Sequence, residues 1–265
     1  MKTGKNAKRT RLRRVLIPLL VLLLLLAAAG AAFGVYVSNY YHADSEALAL
    51  MESPYEGVSL EERSDGSWVV SPAEGEPTAG LIFYPGGKVE HTAYLPLLEN
   101  IAREGILCVL VKMPCNLAVL DPDAAKGIPE QFPEIHRWYL GGHSLGGAMA
   151  ASYLAKHSGD YEGLLLLAAY STADLSDSGL SVLSVYGSED GVLSRDTYEK
   201  YRGNLPEDFT EVILPGGNHA GFGCYGEQSG DNSSGWDSSL TTPMTQEEQW
   251  HQTALAFREL IDSSL

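Results

Sequence analysis

A short apolar run, Trp138-Tyr139-Leu140, leads into Gly141-Gly142-His143-Ser144-Leu145-Gly146-Gly147, and a small-residue helical pattern, Ala148-Met149-Ala150-Ala151, begins at once. Few folds accommodate this. Gly-x-Ser-x-Gly between a strand and a helix describes a turn so tight that Cβ atoms two residues to either side of the serine would collide, and Gly142 and Gly146 remove them. The turn lifts the Ser144 hydroxyl clear of the sheet. It also aims the Leu145 N–H, at the start of a new helix, where a negative oxygen could sit. The plain alternative is a glycine-rich connection with an incidental serine. A dinucleotide fingerprint fails on spacing, and a phosphate loop fails for want of Gly-Lys-Ser/Thr.

The surrounding pattern supports the chemical reading. Apolar strands are expected at 80–84, 106–113, 137–140, 163–169, 181–186 and 210–214, with helical segments at 94–104, 117–126, 145–157 and 194–201 between them. A hairpin (57–62 and 68–71) precedes this alternation, and a closing helix (245–265) ends it. Such alternation predicts an α/β fold, a mostly parallel central sheet with helices on both faces. Over residues 57–265 the chain resembles the α/β-hydrolase family, whose nucleophile elbow matches Gly142 to Gly146 residue for residue. Within it the resemblance is to the small branch related to dienelactone hydrolases and simple esterases. Relatives with a lid insert it where only eleven residues separate Ala169 from Ser181 here. The resemblance therefore implies no lid domain and an open site.

A serine hydroxyl is a poor nucleophile near neutral pH and needs a base oriented by a carboxylate. The family's order is serine, acid, histidine. Only His219 and His251 lie beyond the later strands, and His251 falls on the closing helix. His219 sits in Pro215-Gly216-Gly217-Asn218-His219-Ala220-Gly221, a loop at the carboxyl edge of the sheet, where open α/β sheets bind ligands. It is the expected base. Tyr186-Gly187-Ser188-Glu189-Asp190-Gly191 resembles the family's acid turn and implies Asp190 as the acid, with Glu189, Asp174 and Asp177 as the other acids considered. Besides Leu145, the resemblance places a second oxyanion donor at Gly87 or Lys88, in Tyr84-Pro85-Gly86-Gly87-Lys88, although this stretch departs from the His-Gly-Gly-Gly form of many esterases. No cofactor is expected. Calcium binding by Asp231, Asn232, Ser233 and Asp237 is set aside because their spacing misses the EF-hand loop. Asn232-Ser233-Ser234 is a glycosylation sequon, meaningful in a eukaryotic secretory host.

The amino terminus decides the setting. Residues 1–14 carry seven Lys and Arg and no acid, and residues 15–37 form an uncharged apolar run. That pattern predicts a basic cytoplasmic tail, a single-pass signal anchor, a stalk over 38–56 and a catalytic domain outside the cell. A cleaved signal peptide, cut near Ala27-Ala28-Ala29 or Ala29-Gly30-Ala31, is the competing reading. Beyond the tail 11 basic residues face 34 acidic ones, a net charge near −23, which argues against nucleic acid as a partner. Cys108 lies in a buried-looking strand, whereas Cys115 and Cys224 follow strands in loops that could meet and pair. The expected activity is hydrolysis of a small-molecule or flexible-chain ester through an acyl-enzyme. An amidase or thioesterase using the same triad, or an inactive hydrolase scaffold that binds a ligand, are the alternatives.

Overall fold

The computed structural model describes residues 3–231 and 243–264. Two compact units divide at residue 39. The first is the helix α1 (Thr3–Ser38), whose Leu16–Ser38 stretch has a mean hydropathy of 2.7 over 23 residues and no buried side chains. At 1.5 Å per residue that stretch is about 35 Å long, enough to cross a bilayer.

The second unit begins at Tyr40, earlier than the expected boundary at 57. The region expected as a stalk is folded onto the domain. The Tyr41 N–H donates to the Lys88 carbonyl at 2.7 Å, and the Glu90 N–H donates to the Tyr41 carbonyl at 2.8 Å. Asp44 caps α2 (Ser45–Glu52) by accepting the Glu46 and Ala47 N–H groups. Ala43, Ala47 and Leu50 supply the apolar contacts that hold this segment down, and they are buried.

The hairpin β1 (Val58–Glu62) and β2 (Trp68–Pro72) opens the sheet. Then follow β3 (Ala79–Tyr84), α3 (Leu95–Arg103), β4 (Ile106–Leu110), β5 (Trp138–His143), α4 (Leu145–His157), β6 (Gly163–Leu167) and β7 (Ser181–Gly187). The short helix α5 (Arg195–Tyr201), β8 (Thr210–Leu214) and α6 (Gln246–Ser263) complete the domain. Strand order is β1-β2-β4-β3-β5-β6-β7-β8, parallel from β4 to β8, with β1 and β2 antiparallel at one edge. The helix expected at 117–126 is instead a series of turns. Pro122 disfavours the α conformation at the residue before it, and Asp121 adopts φ −147°.

Side-chain alternation sorts the core onto the two faces of the sheet. Leu81 and Phe83 join one cluster with Leu97 and Ile101 of α3 and Trp250 and Phe257 of α6. Ile82 and Tyr84, their neighbours in β3, join the other with Ala150, Ala151 and Leu154 of α4. Residues 168–180, between β6 and β7, contain no helix or strand, so no lid is inserted there. The sheet's carboxyl edge therefore carries the loops that form the site.

Candidate active site

Ser144 stands between β5 and α4 with φ 52° and ψ −120°, a conformation that costs a non-glycine residue about 1–3 kcal/mol. Its N–H donates to the Leu167 carbonyl at 2.9 Å and its carbonyl accepts the Ala148 N–H at 3.1 Å, which clamps the strained residue on both sides. The flanking glycines are needed for space. A Cβ on Gly142 would lie 2.6 Å from the Tyr84 carbonyl oxygen, and one on Gly146 would fall on the Tyr84 and Pro85 carbonyl oxygens.

His219 lies in the loop after β8, and Asp190 in the turn after β7. The His219 Nδ1–H donates to Asp190 Oδ2 at 2.9 Å, with the two side chains 2% and 0% exposed. The other Asp190 oxygen accepts the Val192 and Leu193 N–H groups at 2.9 and 2.8 Å, so the acid is fixed before it meets the base. A carboxylate only accepts, so this contact puts the ring proton on Nδ1 and leaves Nε2 as an acceptor. His219 Nε2 is buried and makes no hydrogen bond among the described residues. The Ser144–His219 hydrogen bond is thus not made in this structure; catalytic hydrogen bonds of this kind tighten in the substrate complex. Ser144 and His219 nonetheless line one cavity of about 280 Å³. Leu145, Ala148, Ala168, Ala169, Val192 and Leu193 give that cavity apolar walls, and among the described residues no lysine, arginine or carboxylate lines it. Of the other acids considered, Asp174 and Asp177 are exposed, and Asp174 binds the Ser176 N–H and hydroxyl.

The two expected positions for the second oxyanion donor are not equivalent. The Lys88 N–H donates to the Asn116 carbonyl at 2.7 Å, so it is spent on a protein acceptor. The Gly87 N–H makes no such bond among the described residues, and a Cβ at Gly87 would lie 2.8 Å from a Leu145 side-chain carbon. Leu145 opens α4, where the first N–H groups have no helical partner. Gly87 and Leu145 are therefore neighbours, and neither N–H has a backbone acceptor among the described residues.

Other residues hold the site in ways that pattern reading missed. Asp231, in the polar loop after the base, accepts the His219 N–H at 3.0 Å, the Ala220 N–H at 2.7 Å and the Gly191 N–H at 3.3 Å. It thereby joins the base loop to the acid turn. Its expected companions Asn232, Ser233 and Asp237, and the sequon at Asn232, lie outside the described residues. Gln249 of α6 accepts the Asn218 N–H and donates to the Asn218 carbonyl, tying the closing helix to the base loop. His143 packs its ring 4.5 Å from that of His219, centroid to centroid. Burial, reinforced by His219, holds the His143 pKa well below the ordinary histidine value. The three cysteines are free. Cys115 is exposed, whereas buried Cys224 donates its thiol to Asp44 at 2.8 Å.

Comparison with known proteins agrees with this architecture. No curated protein sequence matches the chain at a significant level. Among solved structures, a sugar hydrolase from Lactococcus lactis is 15% identical with a TM-score of 0.54, covering 78% of this chain and 97% of its own. A membrane phospholipase A described as a bacterial virulence factor is 14% identical with a TM-score of 0.53, covering 93% of this chain and 98% of its own. A predicted CIB-like hydrolase from Thermoplasma acidophilum is 15% identical with a TM-score of 0.51, covering 77% and 100%. These likenesses establish the fold. A family model described as "Alpha/beta hydrolase family" matches residues 80–242, from β3 through the acid turn and the base loop, and by that match the chain belongs to the α/β-hydrolase family.

Proposed function

We propose that the chain is a serine hydrolase, anchored in the membrane by α1, that cleaves acyl esters with Ser144 as nucleophile, His219 as base and Asp190 as its orienting acid. The observation that carries this is the buried 2.9 Å contact between His219 and Asp190, opening onto the cavity that Ser144 shares. Ser144 Oγ attacks the ester carbonyl carbon while its proton passes to His219 Nε2. Asp190 stabilises the imidazolium so formed. The carbonyl oxygen becomes an oxyanion and accepts the Leu145 and Gly87 N–H groups, a stabilisation in which each donor is typically worth about 10²–10³ in rate. Collapse expels the alcohol, which takes the proton from His219. Water then repeats the sequence on the acyl-enzyme and restores the serine.

The walls formed by the described residues are apolar and uncharged, which favours a neutral acyl group over a carboxylate-bearing one. The basic residues that precede α1's apolar stretch favour a cytoplasmic amino terminus, which puts the catalytic domain on the opposite side of the membrane.

Labelling of the full chain in detergent micelles with a fluorophosphonate probe tests the reading, with Ser144→Ala as control. The expected result is covalent labelling lost in the variant, and turnover of short neutral esters ahead of the matched amides and thioesters. A folded chain that neither labels nor turns over esters would leave a ligand-binding scaffold in place of the enzyme.

A further inference from the structure

Tyr94 belongs to no sequence motif, yet it touches both halves of the site. It ends the short 3-10 turn before α3 and is completely buried. Its hydroxyl accepts the Gly86 N–H at 3.0 Å and lies 2.8 Å from His143 Nδ1. Gly86 belongs to the loop that carries the Gly87 donor, and His143 immediately precedes Ser144.

The hydrogen-bond directions follow from the donor count. A tyrosine hydroxyl has one proton, and its oxygen already accepts from Gly86. No other acceptor for that proton is present among the described residues, so it goes to His143 Nδ1. His143 is then neutral with its proton on Nε2, in keeping with its burial. One hydroxyl thus spans from the oxyanion loop to the nucleophile elbow. The spacing is set tightly: a Cβ on Gly86 would stand 2.5 Å from the Tyr94 oxygen and 2.8 Å from His143 Nδ1. On the other side of Gly87, the Lys88 N–H is held by the Asn116 carbonyl at 2.7 Å. The peptide that offers the Gly87 N–H is therefore pinned at both neighbours, once by Tyr94 and once by Asn116.

We propose that the Tyr94 hydroxyl is a positioning group for the reaction: accepting from Gly86 and donating to His143, it locks the Gly87 oxyanion donor against the elbow that carries Ser144. This rests on the serine-hydrolase reading. Oxyanion donors act only when held at the place where charge develops, and a misplacement of about 1 Å can cost up to about 10² in rate. Tyr94 touches no substrate in this scheme. Its effect is exerted through the loop.

The test is Tyr94→Phe in the full-length protein, assayed on a neutral p-nitrophenyl ester and on the matching thionoester. Phenylalanine keeps the ring contacts to Phe83 and Tyr225, at 5.3 and 6.5 Å between centroids, and removes only the hydroxyl. A thiocarbonyl sulfur accepts hydrogen bonds poorly, so the ester-to-thionoester rate ratio reads the oxyanion donors specifically. The expected result is a fall in ester kcat of about 10- to 100-fold with KM within about twofold, and a ratio collapsing by a similar factor. Tyr139→Phe is the control. It also removes a buried tyrosine hydroxyl, there bonded to Arg137 at 2.9 Å at the other end of β5, and should leave the ratio unchanged. An unchanged kcat in Tyr94→Phe, or a fall shared equally by ester and thionoester, overturns the positioning role. If the wild-type chain shows no Ser144-dependent ester hydrolysis, the enzymatic reading falls and this inference with it. If that hydrolysis is present and only the ratio fails to move, the inference alone falls.

Discussion

The Asp231 carboxylate accepts the His219 backbone N–H at 3.0 Å, so the proposed base is held through its main chain as well as through its ring. The same carboxylate takes the Ala220 and Gly191 N–H groups, which spans the gap between the base loop and the acid turn. Replacing it leaves these donors to water or to nothing. Asp231→Ala is expected to lower ester kcat by about tenfold or more, with KM little changed, because ring placement and not substrate contact is lost. Asp231→Asn should lie between, since it keeps one acceptor oxygen. Steady-state kinetics on the full chain checks both. A change confined to KM would contradict the assignment.

Asp190→Asn bears on the triad more directly. The amide cannot accept at both atoms, and an N–H placed against His219 Nδ1 forces the ring proton towards Nε2, where the serine proton must go. A loss of about 10³–10⁴ in kcat is the expected outcome, the scale seen when an orienting acid is replaced by its amide in other serine hydrolases. The fold should survive, since the Val192 and Leu193 N–H groups retain an acceptor. Circular dichroism alongside the kinetics separates the two effects.

Gly146→Ala tests the elbow sterically. The added methyl meets the backbone carbonyls of Tyr84 and Pro85, which cannot rotate away as a side chain would. Overpacking of this kind typically costs about 1–3 kcal/mol, and here it would also move Ser144 and the oxyanion loop apart. The expected readout is a lowered melting temperature together with lost fluorophosphonate labelling. Retention of both would contradict the close approach.

Glu99, on α3, predicts a pH effect on stability. It is completely buried, one carboxyl oxygen accepts the Tyr55 N–H at 2.6 Å, and the other has no partner among the described residues. Burial raises its pKa from the ordinary 4.5 to about 7. The folded state therefore binds a proton that the unfolded chain has already released over that interval. Stability from this group is complete below about 4.5 and is lost as pH rises to about 7. Melting temperatures measured across this range should fall with rising pH more steeply in wild type than in Glu99→Gln. Parallel curves would remove Glu99 as the cause.

What was legible in the sequence was whatever is local. The elbow was readable because its glycines answer a steric demand within five residues, and the observed α4 starts and ends where its pattern does. The strands were readable because a parallel sheet buried on both faces demands continuous apolar runs, as in Leu164 to Leu167. His219 and Asp190 were legible as positions after strands. Their 2.9 Å contact was not, because it joins residues 29 apart through the register of β7 and β8. Local pattern misplaced the helix at 117–126, where one proline outweighed the periodicity, and the stalk, whose apolar residues found a partner surface that no stretch of sequence displays. It could not separate Gly87 from Lys88 as the proposed second donor. That distinction depends on which N–H the Asn116 carbonyl reaches, and likewise the bridge made by Tyr94 and the clamp made by Asp231 depend on atoms far apart in the chain. Sequence alone determined the elements and the chemical groups on offer, because propensity and close steric limits act between neighbours. Only the tertiary structure decided which donors remain free to act, because a hydrogen bond is a matter of a few tenths of an ångström between groups that folding alone brings together.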